Sequence, residues 1–354
     1  MIRVIHVGAS VKAKGGVAAV IANLLGELER DPEFRVTAIP TTLWREKGLL
    51  VDALVGLVGL FRVVLACFSR PRPILHLHLC SRGSTLRKGI IARLARALHT
   101  PCVIHDHSLE DYFRRSGTLV RWWLGGTFSR ADAIVTLTDK EKRFLSSLVR
   151  CPIQSIPNAV VLPSEMKESQ ESSDGTIRFL FLGKLMRTKG VYELLEACAI
   201  CRREGLPIHL TLGGNGEVEE CRRWARERGL ENCIDVPGWL EGSSKGTALK
   251  QANVFVLPSH TEAFGIAIIE AMGYGLPVIA TRVGGIPEVV VENETGLLVQ
   301  PRDIEGLVGA MRRLTSDVDL RRRLGRAGRK RVEERYSLPT VCAHMKELYR
   351  HVAS

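Results

Sequence analysis

The chain has 354 residues, of which 45% are hydrophobic and 25% charged, and its 50 basic and 38 acidic side chains give a net charge of +12. This composition is typical of a globular protein with room for about two domains, and it excludes a disordered tail, a collagen-like chain and a disulfide-stapled miniprotein. Nine scattered cysteines, in a chain that opens without an apolar signal segment, favour the reducing cytoplasm.

The charge is placed unevenly along the chain. Residues 1–150 carry a net charge of +11, whereas residues 151–354 carry only +1. The 53 residues from Ala53 to His105 contain eight basic side chains and no acidic one. This asymmetry indicates that the first half faces an anionic partner, such as lipid headgroups, phosphate esters or nucleic acid. The alternative is a general compositional bias, since Arg outnumbers Lys.

Predicted strands and helices alternate in the first half. Residues 1–10 are typical of a buried parallel strand, and Gly15 and Gly16 separate them from an apolar-periodic helix at Ala18–Arg30. Further strands are predicted at Phe34–Ile39, Ile74–Leu79, Cys102–His105 and Ala133–Leu137. Glycines between a strand and a helix let the backbone approach a ligand, and an anionic diphosphate suits that position. The alternation predicts a doubly wound α/β domain over residues 1–163.

The apolar segment Leu49–Phe68 bears on membrane contact. It contains Asp52 and Arg62, and its longest charge-free run is nine residues, whereas a bilayer span needs ~20 apolar residues. Two interpretations stay open. The segment is either an amphipathic helix in the membrane interface, with Arg62, Arg70 and Arg72 at the headgroups, or a helix buried against the sheet.

A second alternation follows a polar stretch, Ser164–Gly175, which is predicted to be a linker or loop. Strands are predicted at Ile177–Leu182, Ile208–Gly213, Asp235–Pro237, Val254–Pro258, Pro277–Ala280 and Gly296–Val299. Helices at Ile304–Leu314 and Asp319–Glu334 close this domain, which spans residues 164–335. We expect it to face the first domain across a cleft, and residues 336–354 to cross back to the first domain as a helix from Leu338.

Cys198 and Cys201 have the spacing of a metal or redox motif. Both fall inside a predicted helix, Val191–Glu204, and no second pair stands at zinc-ribbon spacing. We therefore interpret both as core residues and predict no metal or other cofactor.

Basic residues cluster where a strand of the second half ends and a helix begins. Lys184, Arg187 and Lys189 lie within six positions. In open α/β sheets this strand end faces the ligand crevice, and cations beside a helix N-terminus favour phosphate. Gly214 lies in a glycine turn after the next strand, at the same edge. The alternative for the basic cluster is a solvated helix start.

The segment from Pro258 to Met272 gives the strongest signal. Glu262 follows a strand and Glu270 lies eight residues later, both in apolar sequence, where an unpaired charge is costly. Carboxylates accept hydrogen bonds from sugar or ribose hydroxyl groups. The backbone N–H groups at the following helix start suit phosphate or sugar, and they belong to Phe264, Gly265 and Ile266.

Histidines lie towards the carboxyl ends of two predicted strands of the first half. His76 and His78 belong to one strand, and His105 and His107 to the end of the next. An extended chain places His105 and His107 on one face and Asp106 on the other. Such histidines can hydrogen-bond a reacting sugar or phosphate. Zinc is the alternative for four histidines and an aspartate, but their spacing matches no standard ligand set. The alternative is that one histidine of each pair is a hydrogen-bonded core residue.

These motifs resemble those of the retaining glycosyltransferases of family 4, which have the GT-B fold of two Rossmann-like domains facing a central cleft. The N-terminal glycine loop, the H-x-H strand end and the I-P-N-G-V motif are similar to Gly15-Gly16-Val17, His76-Leu77-His78 and Ile156-Pro157-Asn158, with Ala159 in place of Gly. The G-R-L-x-x-x-K-G, E-x7-E and G-G-x-x-E motifs resemble Gly183–Gly190, Glu262–Glu270 and Gly284–Glu288. Lys184 replaces the usual Arg, which keeps the charge but loses bidentate phosphate geometry. The shares of Lys184, Arg187 and Lys189 in binding phosphate therefore stay open.

The resemblance implies metal-independent, retaining transfer of a hexose-type sugar from a UDP- or GDP-sugar to a lipid-linked or saccharide acceptor, in bacterial surface polysaccharide synthesis. It implies that His105 bonds the transferred sugar, Glu262 binds the sugar hydroxyls and Lys189 neutralises the diphosphate. The implied donor-binding residues are Gly15, Gly16, Lys184, Arg187, Lys189, Gly214, Phe264, Gly265, Ile266 and Glu270, the last on the ribose. The acceptor-side candidates are His76, His78 and Asp106.

Two other functions are weighed against this one. A GT-B sugar-nucleotide epimerase or hydrolase needs an additional acid for proton transfer, for which Asp106 is the one obvious candidate in the first half. A nucleic-acid-binding protein is disfavoured because aromatics are only 6% and no recognition motif interleaves them with bases. The basic first half then points to an anionic membrane surface or a lipid-diphosphate acceptor, at the inner face of the plasma membrane.

Overall fold

The computed structural model describes residues 1–11, 15–42, 49–79, 82–107, 112–113, 116–164 and 175–354. They form two compact units: unit 1 is residues 1–159 with 338–354, and unit 2 is residues 160–337. These boundaries lie within four residues of those expected from the sequence. The predicted linker at Ser164–Gly175 falls almost wholly outside the described residues.

Unit 1 is built on a parallel sheet whose strand order is β2-β1-β3-β4-β5-β6. The strands are β1 (Ile2–Ala9), β2 (Phe34–Thr42), β3 (Ile74–Leu79), β4 (Cys102–Asp106), β5 (Ala133–Thr136) and β6 (Ile153–Ser155). The helices between them are α1 (Gly16–Leu28), α2 (Leu49–Cys67), α3 (Arg82–Ala97), α4 (Thr118–Phe128) and α5 (Asp139–Ser146). The central strand β3 is buried along its whole length, as its continuous apolar sequence predicts for a parallel strand covered on both faces.

Helix α2 accounts for the segment with two open interpretations. Val63 and Cys67 are buried, and the helix packs against β2. The opposite side of α2 leaves large apolar side chains exposed, among them Leu57 and Phe61. The helix is thus partly a cover for the sheet and partly an apolar surface. No helix in the described part of the chain is long and apolar enough to cross a membrane.

Unit 2 contains a second parallel sheet, with strand order β12-β11-β10-β7-β8-β9. The strands are β7 (Ile177–Leu182), β8 (Ile208–Gly213), β9 (Ile234–Gly238), β10 (Val254–Leu257), β11 (Val278–Thr281) and β12 (Gly296–Val299). A 3₁₀ turn at Arg187–Lys189 precedes the helices α6 (Val191–Arg203), α7 (Val218–Arg226), α8 (Gly242–Gln251), α9 (Ile266–Gly273), α10 (Ile286–Val289), α11 (Ile304–Ser316) and α12 (Val318–Arg335). Cys198 and Cys201 are buried in α6, as predicted for core residues. The predicted doubly wound α/β class is confirmed in both units.

The last helix, α13 (Leu338–Ala353), belongs to unit 1 although it follows unit 2 in the chain. It packs against α1, β1 and β3. Met345, Leu348 and Tyr349 are fully buried on its inner side. The core of unit 1 therefore includes side chains from both ends of the sequence.

Five histidines lie on one face of the unit 1 sheet, and we call them the histidine cluster. Strand pairing sets His6 of β1 beside His76 of β3, and His78 beside His105 of β4. Alternation along each strand keeps His76 with His78 and His105 with His107. All five side chains are buried, and the rings of His105 and His107 stack with centroids 4.2 Å apart. The predicted common face of His105 and His107 is confirmed.

Burial keeps the histidine cluster neutral. It lowers the pKa of His6 and of His107 from 6.5 to about 3. It also holds the pKa of His76, His78 and His105 well below 6.5, and repulsion among the neighbouring imidazoles adds to the effect. A neutral imidazole has one N–H donor and one bare nitrogen acceptor, so each ring can accept one hydrogen bond while donating another.

We predict that unit 1 loses stability as the pH falls below about 6.5. The histidines of the unfolded chain take up protons near that pH, whereas the folded cluster has pKa values far below it. The unfolded state then binds more protons, and the free energy of unfolding decreases by about 1.4 kcal/mol per histidine for each pH unit.

Hydrogen exchange corrected for intrinsic rates tests this expectation at pH 7.5 and 5.5. Amides of β1, β3 and β4 should lose protection at the lower pH, while those of β7 and β8 serve as an internal reference. The exposed His351 is in the same unit, so His351→Gln should leave the pH dependence unchanged. Equal protection of unit 1 at both pH values would contradict the prediction.

Candidate active site

The loop from residue 258 to 265, between β10 and α9, carries Glu262 and is held from two sides by backbone hydrogen bonds. The N–H of His260 donates to the carbonyl oxygen of Thr188 at 2.9 Å. The N–H of Gly285 donates to the carbonyl oxygen of Glu262 at 3.3 Å. The loop is thus fixed between the segments that follow β7 and β11, at the carboxyl ends of neighbouring parallel strands, where ligands of α/β sheets bind.

Two glycines allow these segments to approach so closely. Gly190 has φ 69°, and a Cβ atom there would lie 2.0 Å from the carbonyl oxygen of Pro258. Gly284 has φ 53°, and a Cβ atom there would lie 1.6 Å from the carbonyl oxygen of Glu262. Neither position has room for a side chain, and both backbone conformations favour glycine. The glycines of the K-G and G-G motifs therefore set the position of Glu262.

Each predicted carboxylate is paired with a lysine. Lys189 Nζ lies 2.7 Å from Glu262 Oε2, and Lys245 Nζ lies 2.6 Å from Glu270 Oε1. The four side chains are 17–31% exposed, so they are largely removed from water but open on one side to a ligand. Pairing offsets the cost of withdrawing these charges from water. Lys245 was not predicted, since it lies in the polar helix α8, far from the motifs in sequence.

The other predicted cations lie in different surroundings. Lys184 and Arg187 are both exposed. The guanidinium of Arg187 lies 4.7 Å from the ring centre of Tyr192, whose hydroxyl donates to Glu217 Oε2 at 2.5 Å. Burial and this carboxylate raise the pKa of Tyr192, which keeps its hydroxyl protonated. Arg187 is therefore oriented by a ring, whereas Lys189 is oriented by a carboxylate.

The predicted helix N-termini are present. Helix α9 begins at Ile266 after the N-cap Gly265, and the buried Phe264 makes an edge contact with Tyr336 at 5.7 Å between ring centres. In unit 1, α1 begins at Gly16 after the N-cap Gly15. Helix N-termini with glycine caps leave backbone donors for an anion.

The backbone N–H of Gly214 is already hydrogen-bonded within the protein. Gly214 lies in the turn after β8, and its N–H donates to the carbonyl oxygen of Gly238 at 2.7 Å. The predicted role of Gly214 in donor binding then rests on its lack of a side chain rather than on a free backbone donor.

The acceptor-side candidates lie in the interior of unit 1. His76 Nδ1 is 2.6 Å from the hydroxyl of Tyr349, and His76 Nε2 is 3.1 Å from His105 Nδ1. His78 uses both ring nitrogens as well, towards His6 and His107. Asp106 is also buried. His76 and His78 are therefore buried beside His105 and His107, because strand alternation directs all four side chains to the same covered face of the sheet.

Two members of this network were not predicted. After Arg3, His6 is the one polar side chain in strand β1, and that contrast with its apolar neighbours is a signal that sequence can supply. Tyr349 has no such signal, since an aromatic residue on the inner side of α13 is ordinary core sequence. Its hydroxyl lies 3.3 Å from His6 Nε2 and so joins the histidines from the other end of the chain.

Among the described residues, the groups that could hold a metal are also in this network. The triads His6, His76, His78 and His78, His105, His107 each place ligating atoms within 4.8 Å of one another. The spacing in sequence matched no zinc motif because strand pairing, rather than chain proximity, brings these histidines together. In each triad, at least one pair of ring nitrogens is already hydrogen-bonded to each other, at 2.9 Å.

Comparison with known proteins was made on sequence and on structure. Residues 164–331 match the family "Glycosyl transferases group 1". A glycogen synthase of Mycobacterium tuberculosis is 27% identical over 275 residues, which cover 72% of this chain but only 64% of the synthase, less than two thirds of its length.

Two solved structures share the fold. A sucrose-phosphate synthase from Thermosynechococcus elongatus has a TM-score of 0.81 at 22% identity, over 100% of both chains. Anabaena Alr3699/HepE in complex with UDP-glucose has a TM-score of 0.76 at 17% identity, over 99% of this chain and 100% of that one. These likenesses extend over both sheets, whereas the family match lies in unit 2. The chain therefore has the GT-B fold, and its residues 164–331 are similar to the glycosyl transferases group 1 family.

Proposed function

We propose that this protein is a retaining glycosyltransferase that moves a hexose-type sugar from a nucleotide-diphosphate sugar to a lipid-linked or saccharide acceptor. The observation that carries the proposal is the presence in unit 2 of two partly exposed ion pairs, Lys189–Glu262 and Lys245–Glu270. They offer a cation for phosphate and carboxylates for sugar hydroxyls within the family segment.

The ion pairs give the donor a way to enter without leaving a charge unpaired. In the free protein the Lys189 ammonium is held by Glu262 at 2.7 Å. A diphosphate carries more negative charge than one carboxylate, and it therefore competes with Glu262 for that ammonium. Glu262 is then released to accept hydrogen bonds from the sugar, so one contact is exchanged for two. Glu270 and Lys245 are assigned in the same way to the ribose.

Electrostatic stabilisation of the leaving diphosphate is the main chemical contribution of unit 2. As the bond from the anomeric carbon to the diphosphate oxygen breaks, negative charge develops on that oxygen. We assign the stabilisation of this charge to Lys189, Lys184 and Arg187 rather than to a metal. The new bond forms to the acceptor oxygen on the same face, and the acceptor proton passes to a phosphate oxygen. We assign no covalent nucleophile, and His105 is proposed to hydrogen-bond the transferred sugar.

We predict that Lys189→Met lowers kcat by about 10²–10³-fold, because it removes charge stabilisation of the leaving group. Glu262→Gln should lower transfer to a similar degree, and Glu270→Gln should weaken donor binding by about 10-fold or more, the value of a charged hydrogen bond. The measurement is transfer to acceptor with the UDP-, GDP- or ADP-sugar that gives the largest thermal shift.

Matched control variants lie on the same unit. Lys250→Met and Glu231→Gln change exposed charges outside the site and should leave turnover unchanged. Near-normal turnover in both Lys189→Met and Glu262→Gln would overturn the site assignment. Epimerised or free sugar as the main product, formed without acceptor, would favour an epimerase or hydrolase of the same fold.

The acceptor is proposed to be presented at an anionic membrane surface, and α2 supports this proposal. Five large apolar side chains of the helix, Leu54, Leu57, Val58, Phe61 and Leu65, repeat at helical spacing and are 50–66% exposed, and Phe68 just after the helix is 67% exposed. Such a stripe is costly in water and suits the boundary between headgroups and acyl chains. Arg62, Arg70 and Arg72 are exposed in or just after the same segment and add attraction to anionic lipid.

We predict that Leu57→Asp combined with Phe61→Asp reduces flotation with phosphatidylglycerol vesicles by at least about 10-fold. Two apolar side chains that would insert into the lipid are then replaced by negative charges that anionic lipid repels. Binding of the unaltered protein should weaken as salt rises. Leu148→Asp, at an exposed leucine elsewhere in unit 1, is the matched control. Flotation that withstands the double substitution would contradict the proposal.

A further inference from the structure

The hydrogen bonds of the histidine cluster form one continuous path that passes through Tyr349. One arm runs from the Tyr349 hydroxyl to His76 Nδ1 at 2.6 Å, and from His76 Nε2 to His105 Nδ1 at 3.1 Å. The other arm runs from the same hydroxyl to His6 Nε2 at 3.3 Å, from His6 Nδ1 to His78 Nε2 at 2.9 Å, and from His78 Nδ1 to His107 Nε2 at 2.9 Å. The path begins and ends on two stacked neighbouring rings, those of His105 and His107.

The path ends at one ring nitrogen of His105 and one of His107. His105 Nε2 and His107 Nδ1 are buried, and neither has a hydrogen-bond partner among the described residues. A buried polar atom without a partner is rare and calls for a ligand, a water or a proton-transfer role. Both ends belong to the strand and the turn where the sugar-binding histidine was predicted.

When all the rings are neutral, every hydrogen bond along the path must run in the same direction, and two directions are possible. Each neutral imidazole donates through one nitrogen and accepts through the other, and a phenol hydroxyl donates one hydrogen and accepts another. If Tyr349 donates to His6, it must accept from His76. Following the contacts outward, every ring then carries its hydrogen on Nδ1. If Tyr349 donates to His76 instead, every ring carries its hydrogen on Nε2.

We propose that Tyr349 couples the tautomers of all five histidines and thereby sets whether His105 meets a substrate as a donor or as an acceptor. In the Nδ1–H state, His107 offers a donor at its open end and His105 offers a bare Nε2. In the Nε2–H state these roles are reversed. The two open ends always have opposite character, and no ring needs to become charged.

Reversal of the path moves one proton without separating charge. A proton taken up at His105 Nε2 is balanced by one released from His107 Nδ1, while each group between them passes a hydrogen to its neighbour and Tyr349 reverses its hydroxyl. His6, His76, His78 and Tyr349 are positioning residues in this scheme. The role at a substrate rests on the proposed transferase function, whereas the coupling itself does not.

A bound metal is the competing occupant of the cluster, and the geometry favours the hydrogen-bonded path. Each metal triad includes ring nitrogens that are 2.9 Å apart and hydrogen-bonded to each other. A divalent cation would replace those bonds, and all five ligating rings are neutral and buried. Bringing two positive charges into this interior without a carboxylate ligand is costly.

Nitrogen-15 NMR of the histidine rings in the full chain tests the coupling. The five buried rings should be neutral and should all have the same tautomer, either Nδ1–H or Nε2–H. Tyr336→Phe removes a buried hydroxyl in unit 2 and should leave the pattern unchanged. A mixed set of tautomers in the unaltered protein, a charged ring, or a stoichiometric zinc ion detected by mass spectrometry would overturn the proposal.

Tyr349→Phe tests the positioning role by keeping the ring and removing the hydroxyl. We expect the donor KM to stay within about 2-fold, because unit 2 is unchanged, and kcat to fall by about 10-fold or more, as when a histidine loses the group that fixes its tautomer. Unchanged kcat would overturn that role. Should the variant fail to fold, the spectrum of the unaltered protein still decides the coupling. Should the unaltered protein transfer no sugar, the proposed function fails while a uniform tautomer pattern would still support the coupling.

Discussion

An ionisable side chain that is withdrawn from water must find an opposite charge or give up its own, and the two units meet this constraint in different ways. In unit 2, Lys189 and Lys245 neutralise Glu262 and Glu270 at close range. In unit 1, the five rings of the histidine cluster are neutral and are linked to one another and to Tyr349 by hydrogen bonds. The ion pairs of unit 2 keep their charges available to a ligand, whereas the histidine cluster of unit 1 carries no charge.

This difference has a consequence for how rigid each site is before a ligand arrives. The carboxylate of Glu262 is oriented by Lys189, and its backbone is held by Gly284 and Gly285, so little motion is left to be lost on binding. Preorganised charge is the largest contribution available to an enzyme that handles a charged leaving group. The glycines are therefore needed for the chemistry of the carboxylate, because their lack of a side chain lets the Glu262 loop be held in position.

Much of the fold could be predicted from sequence, since continuous apolar runs mark parallel strands wherever both faces are covered. Strand β3 at Ile74–Leu79 and strand β7 at Ile177–Leu182 match their predicted bounds. Strand β6 was missed because its three half-buried residues are too few to form a pattern. The carboxylates of the site were predicted from their motif. Their lysine partners were predicted only where the motif includes them, as for Lys189, because pairing with Lys245 is decided by packing across 25 positions of sequence.

The histidines show the same limit more clearly. Alternation within a strand predicted the shared face of His105 and His107, but sheet register was needed to place His6 beside His76. Tyr349 joins these residues over sequence separations of 273 and 343 positions. During synthesis, the strands of unit 1 leave the ribosome long before the helix that completes their core. Unit 1 must therefore wait for the whole of unit 2 to be made, and its folding is completed only after translation of residues 338–354.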